Sequence, residues 1–551
     1  MPTIDDLPTE LILAIFAFMD PKTMISASSA CRQWYKLYSL PEQQYKVAQH
    51  RYSVADGPPN DEWPASRRLE ALRAHQARWR TLSWAKSHTF NNDTGDQWEC
   101  FSGVYGRANR FQNCIMFNKA PSVVVNSDES MWSINVPIPI RDFCMDSYQD
   151  LVVVMNAENQ RSRRDVHFLS MSDGRPHPRA KYPLVSEDIS SVWPYDSGCT
   201  IEIYGEHVII LFRGYTYPTT GAQRFSSVLI IWNWITGEKM MRLSSSGNNF
   251  VDSFCFLSPD HVLVGRRTYP STPSAQSSLE VYCFGKGLQH INMRRFQLPK
   301  LAADASLNYL ELLCQAVPTP NHHAWRPFYT SPSNRICMIS VYYSNEVSYR
   351  WVNYIVFAST FLKTFPNEET NLGIVDPEEF RYISTVPWKD WSLQTRITSW
   401  NSERSVYKAV TYGTRIVRLL PAANPGRYRI QICDFNPYAR SQIKDALGVN
   451  KRETGIIKQK KLDGFGMDLI GRVDEMQRDV KQNEDVATVN YRYIASAPAR
   501  FPLDSIFAEP IFSALPYLET TTVEDFEVRY VMMDFENIYL LDHDEVQVLS
   551  L

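Results

Sequence analysis

Apolar and polar positions follow two different rhythms along this chain, and the rhythm changes near residue 90. Before it the spacing is helical. Leu11 to Met19 is an unbroken run of nine apolar residues between Glu10 and Asp20. Pro8 suits a first helical turn, and Asp5, Asp6 and Glu10 place negative charge where a helix dipole favours it, so a helix is expected to start here. Leu11, Ile12, Ile15, Phe16, Phe18 and Met19 cover more than the single stripe that a surface helix needs. Asp20-Pro21 stops it, Thr23 is a new cap, and Met24, Ile25, Ala27, Ala30 and Trp34 mark two further short helices through residue 40. Such a unit, about 40 residues long, lies below the size at which a lone core is usually stable. A partner surface is the expected remedy; a helical hairpin packed on its own protein's core is the plainer alternative.

Residues 61 to 88, DEWPASRRLEALRAHQARWRTLSWAKSH, continue the helical spacing. Pro64 opens a helix, and Leu69, Leu72, Gln76, Trp79 and Leu82 recur at three- and four-residue steps among arginines. The reading is a linker helix that docks one narrow apolar stripe and turns a charged face to solvent.

Beyond residue 90, short runs rich in Val, Ile, Tyr, Phe and Trp are separated by Ser, Asp, Asn, Gly and Pro clusters, which predicts antiparallel strands. Examples are 150–155, 165–170, 206–212, 227–232, 261–264, 279–284, 336–340 and 354–357. VHFLSMSDGR (166–175) and LIIWNWITGEKMMRL (229–243) each read as strand, polar turn and Gly, and the second resembles the W-x-x-x-T-G ending of WD-type blades. SFCFLSPDHVLVG (253–265) resembles the inner strand pair that follows. Radial repetition lets some 460 residues of short strands form one domain without long exposed edges. The expected class is therefore multidomain α plus all-β: a three-helix unit at 1–45, a helical linker at 46–90, and a degenerate β-propeller, of seven blades, at 91–551. A pair of β-sandwiches is the alternative. Residues of about 440–500 are highly charged with both signs and are expected to form a long mobile insertion, with strands resuming near Phe512. Trp388 and Trp391 are expected as buried blade residues, with exposed recognition aromatics as the alternative.

Three separated stretches carry a family resemblance. Leu7-Pro8-x-Glu10-Leu11, then Ile15-Phe16-x-Phe18-Met19-Asp20-Pro21, then Cys31-Arg32-x-Trp34 resemble the F-box pattern in order and spacing over about residues 4 to 45. Ala30 and Tyr45 depart from it, at positions usually aliphatic and often tryptophan. The resemblance implies binding to the Skp adaptor, and through it to a cullin-RING ubiquitin ligase. It assigns adaptor contact to Leu7, Pro8, Glu10, Leu11, Ile12, Ile15 and Phe16, with Cys31, Arg32 and Trp34 supporting that surface or its packing. The order of F-box, basic helix and propeller, with VPWKDW (386–391), TYGTR (411–415) and ICDFNPY (432–438), resembles the expanded F-box families of mushroom-forming fungi.

Composition narrows this further. Hydrophobic residues are 44% and charged residues 21% of the chain, and the net charge is -3, which excludes a mostly disordered chain and gives no basic field for nucleic acid. The 10 cysteines are scattered singly and read as reduced thiols of a cytoplasmic or nuclear protein. No apolar run reaches the roughly 18 residues of a membrane span, and the leading segment, with Asp5 and Asp6, does not read as a signal peptide. Asn92-Asp93-Thr94 fits a glycosylation sequon and is read as chance. No phosphate loop, H-E-x-x-H, G-x-S-x-G or EF-hand pattern occurs. GFGMDLIG (464–471) lacks the third glycine of a dinucleotide fingerprint, and adjacent His322 and His323 do not share a metal easily. Lys458–Lys461 is read as a solvated loop. No cofactor, metal or catalytic residue is expected, and no nucleic acid or membrane partner. The expected function is the substrate-recognition subunit of a Skp-cullin-F-box ligase, a non-enzyme that holds an unknown protein target. An F-box scaffold acting outside the ligase and a propeller-fold hydrolase are the competing readings.

Overall fold

The computed structural model describes residues 7–92, 97–109, 113–156, 163–192, 195–216, 224–247, 249–268, 277–285, 291–316, 325–363, 381–400, 408–439, 473–474, 489–495, 499–501 and 506–551. Five helices lead: α1 (Thr9–Phe18), α2 (Pro21–Ser28), α3 (Arg32–Tyr38), α4 (Pro41–Tyr52) and α5 (Ala65–Thr81). Local chemistry sets their ends. The Asp20 side chain accepts hydrogen bonds from the Lys22 and Thr23 backbone N–H groups, capping α2 immediately after α1 stops, and Pro21 occupies the first turn. Lys46 of α4 donates to the Phe16 and Ala17 carbonyls at 3.2 and 2.6 Å, satisfying the open end of α1. At the end of α5, Leu82 takes a left-handed φ of 46°, a conformation that costs a β-carbon-bearing residue about 1–2 kcal/mol. Leu82 is also fully buried, which is worth about 1.5–3 kcal/mol and holds the strained position.

The rest is a seven-bladed β-propeller, mostly strands with few helices. Among the described residues seven sheets of four or more strands follow one another along the chain. Blade three shows the pattern: Tyr195–Tyr204, His207–Thr216, Arg224–Asn233 and Lys239–Gly247 pair antiparallel in sequence order. All eight runs picked out by apolar patterning lie in strands, extended by a few residues at most ends. The W-x-x-x-T-G segment forms the turn between the last two strands of blade three, with Gly237 at φ 75°. Its neighbour Trp234 is fully buried and donates its indole N–H to the Gly205 carbonyl at 3.0 Å. Trp391 is buried and donates to the Gln297 carbonyl at 3.2 Å, and Trp388 packs edge-on against it.

Two strands have unexpected origins. Lys86–Asn91, at the end of the span read as helical linker, is the outer strand of the seventh blade and pairs along its length with Glu545–Ser550. Residues from near the two ends of the sequence thus pair in one blade and close the ring. Val489–Ile494, inside the stretch read as an insertion, is a strand of blade six paired with Tyr517–Thr522. Most of the remaining insertion, together with GFGMDLIG, Lys458–Lys461 and His322-His323, lies outside the described residues.

Candidate functional site

The first three helices enclose a small core. Ile12, Phe16, Met24, Trp34 and Leu37 are buried, with Leu7, Leu13, Met19, Ala27 and Cys31 packed at its edge. Phe16 and Trp34 meet edge to face at 5.4 Å. Of the residues singled out in the sequence, Ile12, Phe16 and Trp34 therefore face inward and hold the helices together. Pro8, Glu10, Leu11 and Arg32 lie exposed, while Leu7, Ile15 and Cys31 are half-buried.

Several large apolar residues are left in solvent. Phe18 is 93% exposed, Tyr35 61% and Leu11 52%, with Ile25 and Leu40 also open. Phe18 and Leu11 lie on α1, so the apolar excess noticed in the sequence is surface that the small unit does not cover. Leu11 and Phe18, seven positions apart, share one face of α1, whereas Tyr35 and Ile25 stand on other helices. Hydrogen bonds from Thr23 hold the Asp20 carboxyl below its ordinary range, so the cap separating α1 from α2 stays charged.

A second assembly joins these helices to the propeller. The face of α5 that carries Leu69, Leu72, Gln76 and Trp79 is buried as the spacing predicts, but Arg68 and His75 are buried with it. Arg68 departs from the solvated arginine face expected of this helix. Its guanidinium donates to Asp56 at 2.6 Å and to the Gly57, Pro58 and Pro327 carbonyls. Those acceptors are the Asp56 carboxylate, carbonyls of the turn after the strand Val54–Asp56, and the carbonyl next to the segment Phe328–Thr330 with which that strand pairs, inside blade five (Ser306–Leu313, Ile336–Ser344, Tyr349–Phe357 and Thr395–Thr398). A buried arginine is acceptable here because its donors are met. His75 stacks on Phe535 at 4.6 Å, and its Nε2 lies 2.9 Å from the Phe535 carbonyl. Burial and the nearby Arg415 push the His75 imidazole down to about 3, so it is neutral at physiological pH. Trp79 donates to the same carbonyl at 3.1 Å, and Arg415 donates to Gln76 at 2.7 Å.

These contacts fall on the connections after the first strands of blades five, six and seven, which topology places at one end of the propeller. A polar knot locks that end: Arg326 pairs with the fully buried Glu536, whose other oxygen accepts from Ser122 at 2.7 Å and from the Val123 and Val124 N–H groups. Neither His75 nor this knot is visible in the sequence, because each depends on acceptors hundreds of residues away, and Arg68 is missed because its acceptors lie mostly in the irregular segment of residues 56–63 just before its own helix.

The opposite end carries a different feature. Ser344–Tyr349, the turn between the second and third strands of blade five, is shaped by Asn345 accepting from the Val347 and Ser348 N–H groups. That turn lifts Val347 to 91% exposure beside the exposed Tyr349. Tyr342, Trp351 and Tyr309 continue the aromatic row across three strands at ring distances of 5.1 and 5.7 Å.

With this geometry in view, the family comparison is direct: residues 4–42 match the F-box-like family. The chain thus carries an F-box-like domain followed by a seven-bladed propeller. No curated protein matches it. Among solved structures, Kuenenia stuttgartiensis hydrazine synthase is similar at 10% identity and a TM-score of 0.26, over 47% of this chain. The chain spans 63% of the length of that structure's chain. Among the described residues no group of three metal-ligating side chains is placed to hold an ion, and no helix is long and apolar enough to cross a membrane.

Proposed function

We propose that this protein is a substrate receptor of a Skp-cullin-F-box ubiquitin ligase, acting in the cytoplasm or nucleus. The observation that carries the reading is an F-box-like unit with its apolar surface open, braced by buried hydrogen bonds against one end of a propeller. The Skp adaptor is the partner for Pro8, Glu10, Leu11, Ile15, Phe18 and Arg32, while Ile12, Phe16 and Trp34 keep that surface in shape. Since α4 and α5 cover one end of the propeller, the target protein docks at the other, where Val347 and Tyr349 stand in solvent. The chain itself makes no bond. Its role is positional: holding a target lysine near the activated ubiquitin carried by other subunits raises the effective concentration of the reacting pair.

The test is reconstitution of the full chain with purified Skp adaptor and cullin. A ternary complex is expected. Adaptor binding without cullin would favour a scaffold outside the ligase, and binding of neither would defeat both readings.

A further inference from the structure

Three cysteines far apart in the sequence meet in the core between blades four and five. Cys255 lies in Asn249–Ser258, the first strand of blade four, and Cys337 lies in Ile336–Ser344 of blade five. Their sulfur atoms are 3.8 Å apart. Cys314 follows Leu313, which pairs with Met338, so the antiparallel register sets it opposite Cys337. It shares side-chain hydrogen bonds with both other thiols. All three are buried in one apolar cluster.

A buried cation stands beside them. Arg335 is 1% exposed, and its guanidinium donates to the Gln315 carbonyl at 2.9 Å, to the Phe256 and Leu257 carbonyls at 3.3 and 2.6 Å, and to the Pro332 carbonyl at 3.3 Å. Gln315 follows Cys314 and Phe256 follows Cys255, so the charge lies against the chain at two of the three thiols. These acceptors satisfy its donors without neutralising it, since none is a carboxylate, and a buried cation in that state favours an anion nearby. Hydrogen bonds from Cys255 and Cys337, aided by Arg335, hold the Cys314 thiol well below its ordinary range, whereas burial pushes the Cys255 thiol up. The cluster thus sets one nucleophilic sulfur in contact with two thiols.

We propose that Cys255, Cys314 and Cys337 form a site oxidised by hydrogen peroxide to a disulfide, with Cys314 as the attacking sulfur and Cys255 or Cys337 as the resolving thiol. In the first step the Cys314 sulfur attacks one peroxide oxygen. An S–O bond forms, the O–O bond breaks, and the leaving hydroxide takes a proton and departs as water. The neighbouring thiol then attacks the Cys314 sulfur, so that an S–S bond forms, the S–O bond breaks, and the hydroxyl leaves with the thiol proton as a second water. Two thiols and one peroxide give one disulfide and two waters. Peroxide is little larger than water and enters through local openings of the core that exclude bulky reagents. With the resolving thiol already in contact, the sulfenic acid is trapped before further oxidation. A bond to Cys255 ties blade four to blade five, and a bond to Cys337 crosses two strands of blade five. The inference does not rest on the ligase reading, since no cysteine of the cluster lies in the F-box-like unit.

The experiment exposes the reduced full chain, folded and free of added thiol, to hydrogen peroxide. Remaining thiols are then alkylated in denaturant, and the digested chain is mapped by mass spectrometry. The expected product is a peptide pair joining Cys314 to Cys255 or to Cys337, returned to free thiols by dithiothreitol; which pair forms identifies the resolving thiol. In Cys314→Ser that product is lost, and Cys255 and Cys337 stay reduced over the same exposure. The wild-type map decides even if the variant does not fold. Cys314 left unlinked in the oxidised wild-type chain, a linkage that forms only after denaturant opens the chain, or oxidation of Cys255 and Cys337 at an undiminished rate in a folded Cys314→Ser chain would each overturn the proposal.

Discussion

Helices α1 and α5 invert what their compositions suggest. α1, TELILAIFAF, is the greasiest of the described helices, yet among its large residues only Ile12 and Phe16 are buried while Leu11 and Phe18 stand in solvent. α5, ASRRLEALRAHQARWRT, is polar and basic, yet it buries Arg68, His75 and Gln76 along with Leu69, Leu72 and Trp79. The difference lies in what each helix has to pack against. α1 belongs to a core of five buried side chains, whereas α5 joins a cluster that runs through blades five, six and seven and includes Phe328, Phe435 and Ile538. Large surroundings supply acceptors for buried polar groups, while a small unit has too few neighbours to cover even its apolar ones. Hydrophobicity alone therefore does not say which helix meets a partner.

Substitutions should separate the two helices. Trp79→Ala, which empties a buried indole site and leaves the Phe535 carbonyl with one donor fewer, should cost about 3–5 kcal/mol in denaturant unfolding. Next comes acidification. A free histidine titrates at 6.5 but folded His75 only at about 3, so between those values the unfolded chain binds a proton that the folded chain does not. Stability through His75 thus falls as pH drops below 6.5, by about 2 kcal/mol at pH 5, and His75→Gln should remove that share of the slope. Gly57→Ala sets a β-carbon 1.9 Å from the Arg326 carbonyl and should cost about 1–3 kcal/mol by forcing apart the segments that carry the linker. Leu11→Asp with Phe18→Asp should move the unfolding midpoint least, within about 0.5 kcal/mol, as exposed positions do. A loss comparable to that of Trp79→Ala would show that α1 is packed after all and end the contrast.

Much of the architecture was legible because it is written in local pattern. The cap at Asp20-Pro21, the buried spacing of Leu69, Leu72, Gln76 and Trp79, and the turns of the blade motifs all follow from neighbours within a few residues. What escaped is non-local. The strand Lys86–Asn91 owes its place to Glu545–Ser550, some 460 residues away, and His75 is buried where Phe535, 460 residues away, offers it a carbonyl and a ring face. For the candidate site, the F-box pattern pointed to α1, but it did not separate that helix's exposed residues from its buried ones. Phe16 and Phe18, two positions apart on α1, point to the core and to water respectively, a distinction set by the hundred-degree turn per residue and by where α3 happens to lie.

The central claim is that the apolar surface α1 leaves uncovered exists to be covered by the Skp adaptor. Its most direct test is titration of purified adaptor against the wild-type chain and the Leu11→Asp/Phe18→Asp variant, with the melting curve of each chain recorded alongside. The expected result is unchanged melting with affinity reduced at least roughly a hundredfold, about 3 kcal/mol, the loss typical of removing interface anchors. Undiminished adaptor binding by a folded variant would contradict the account.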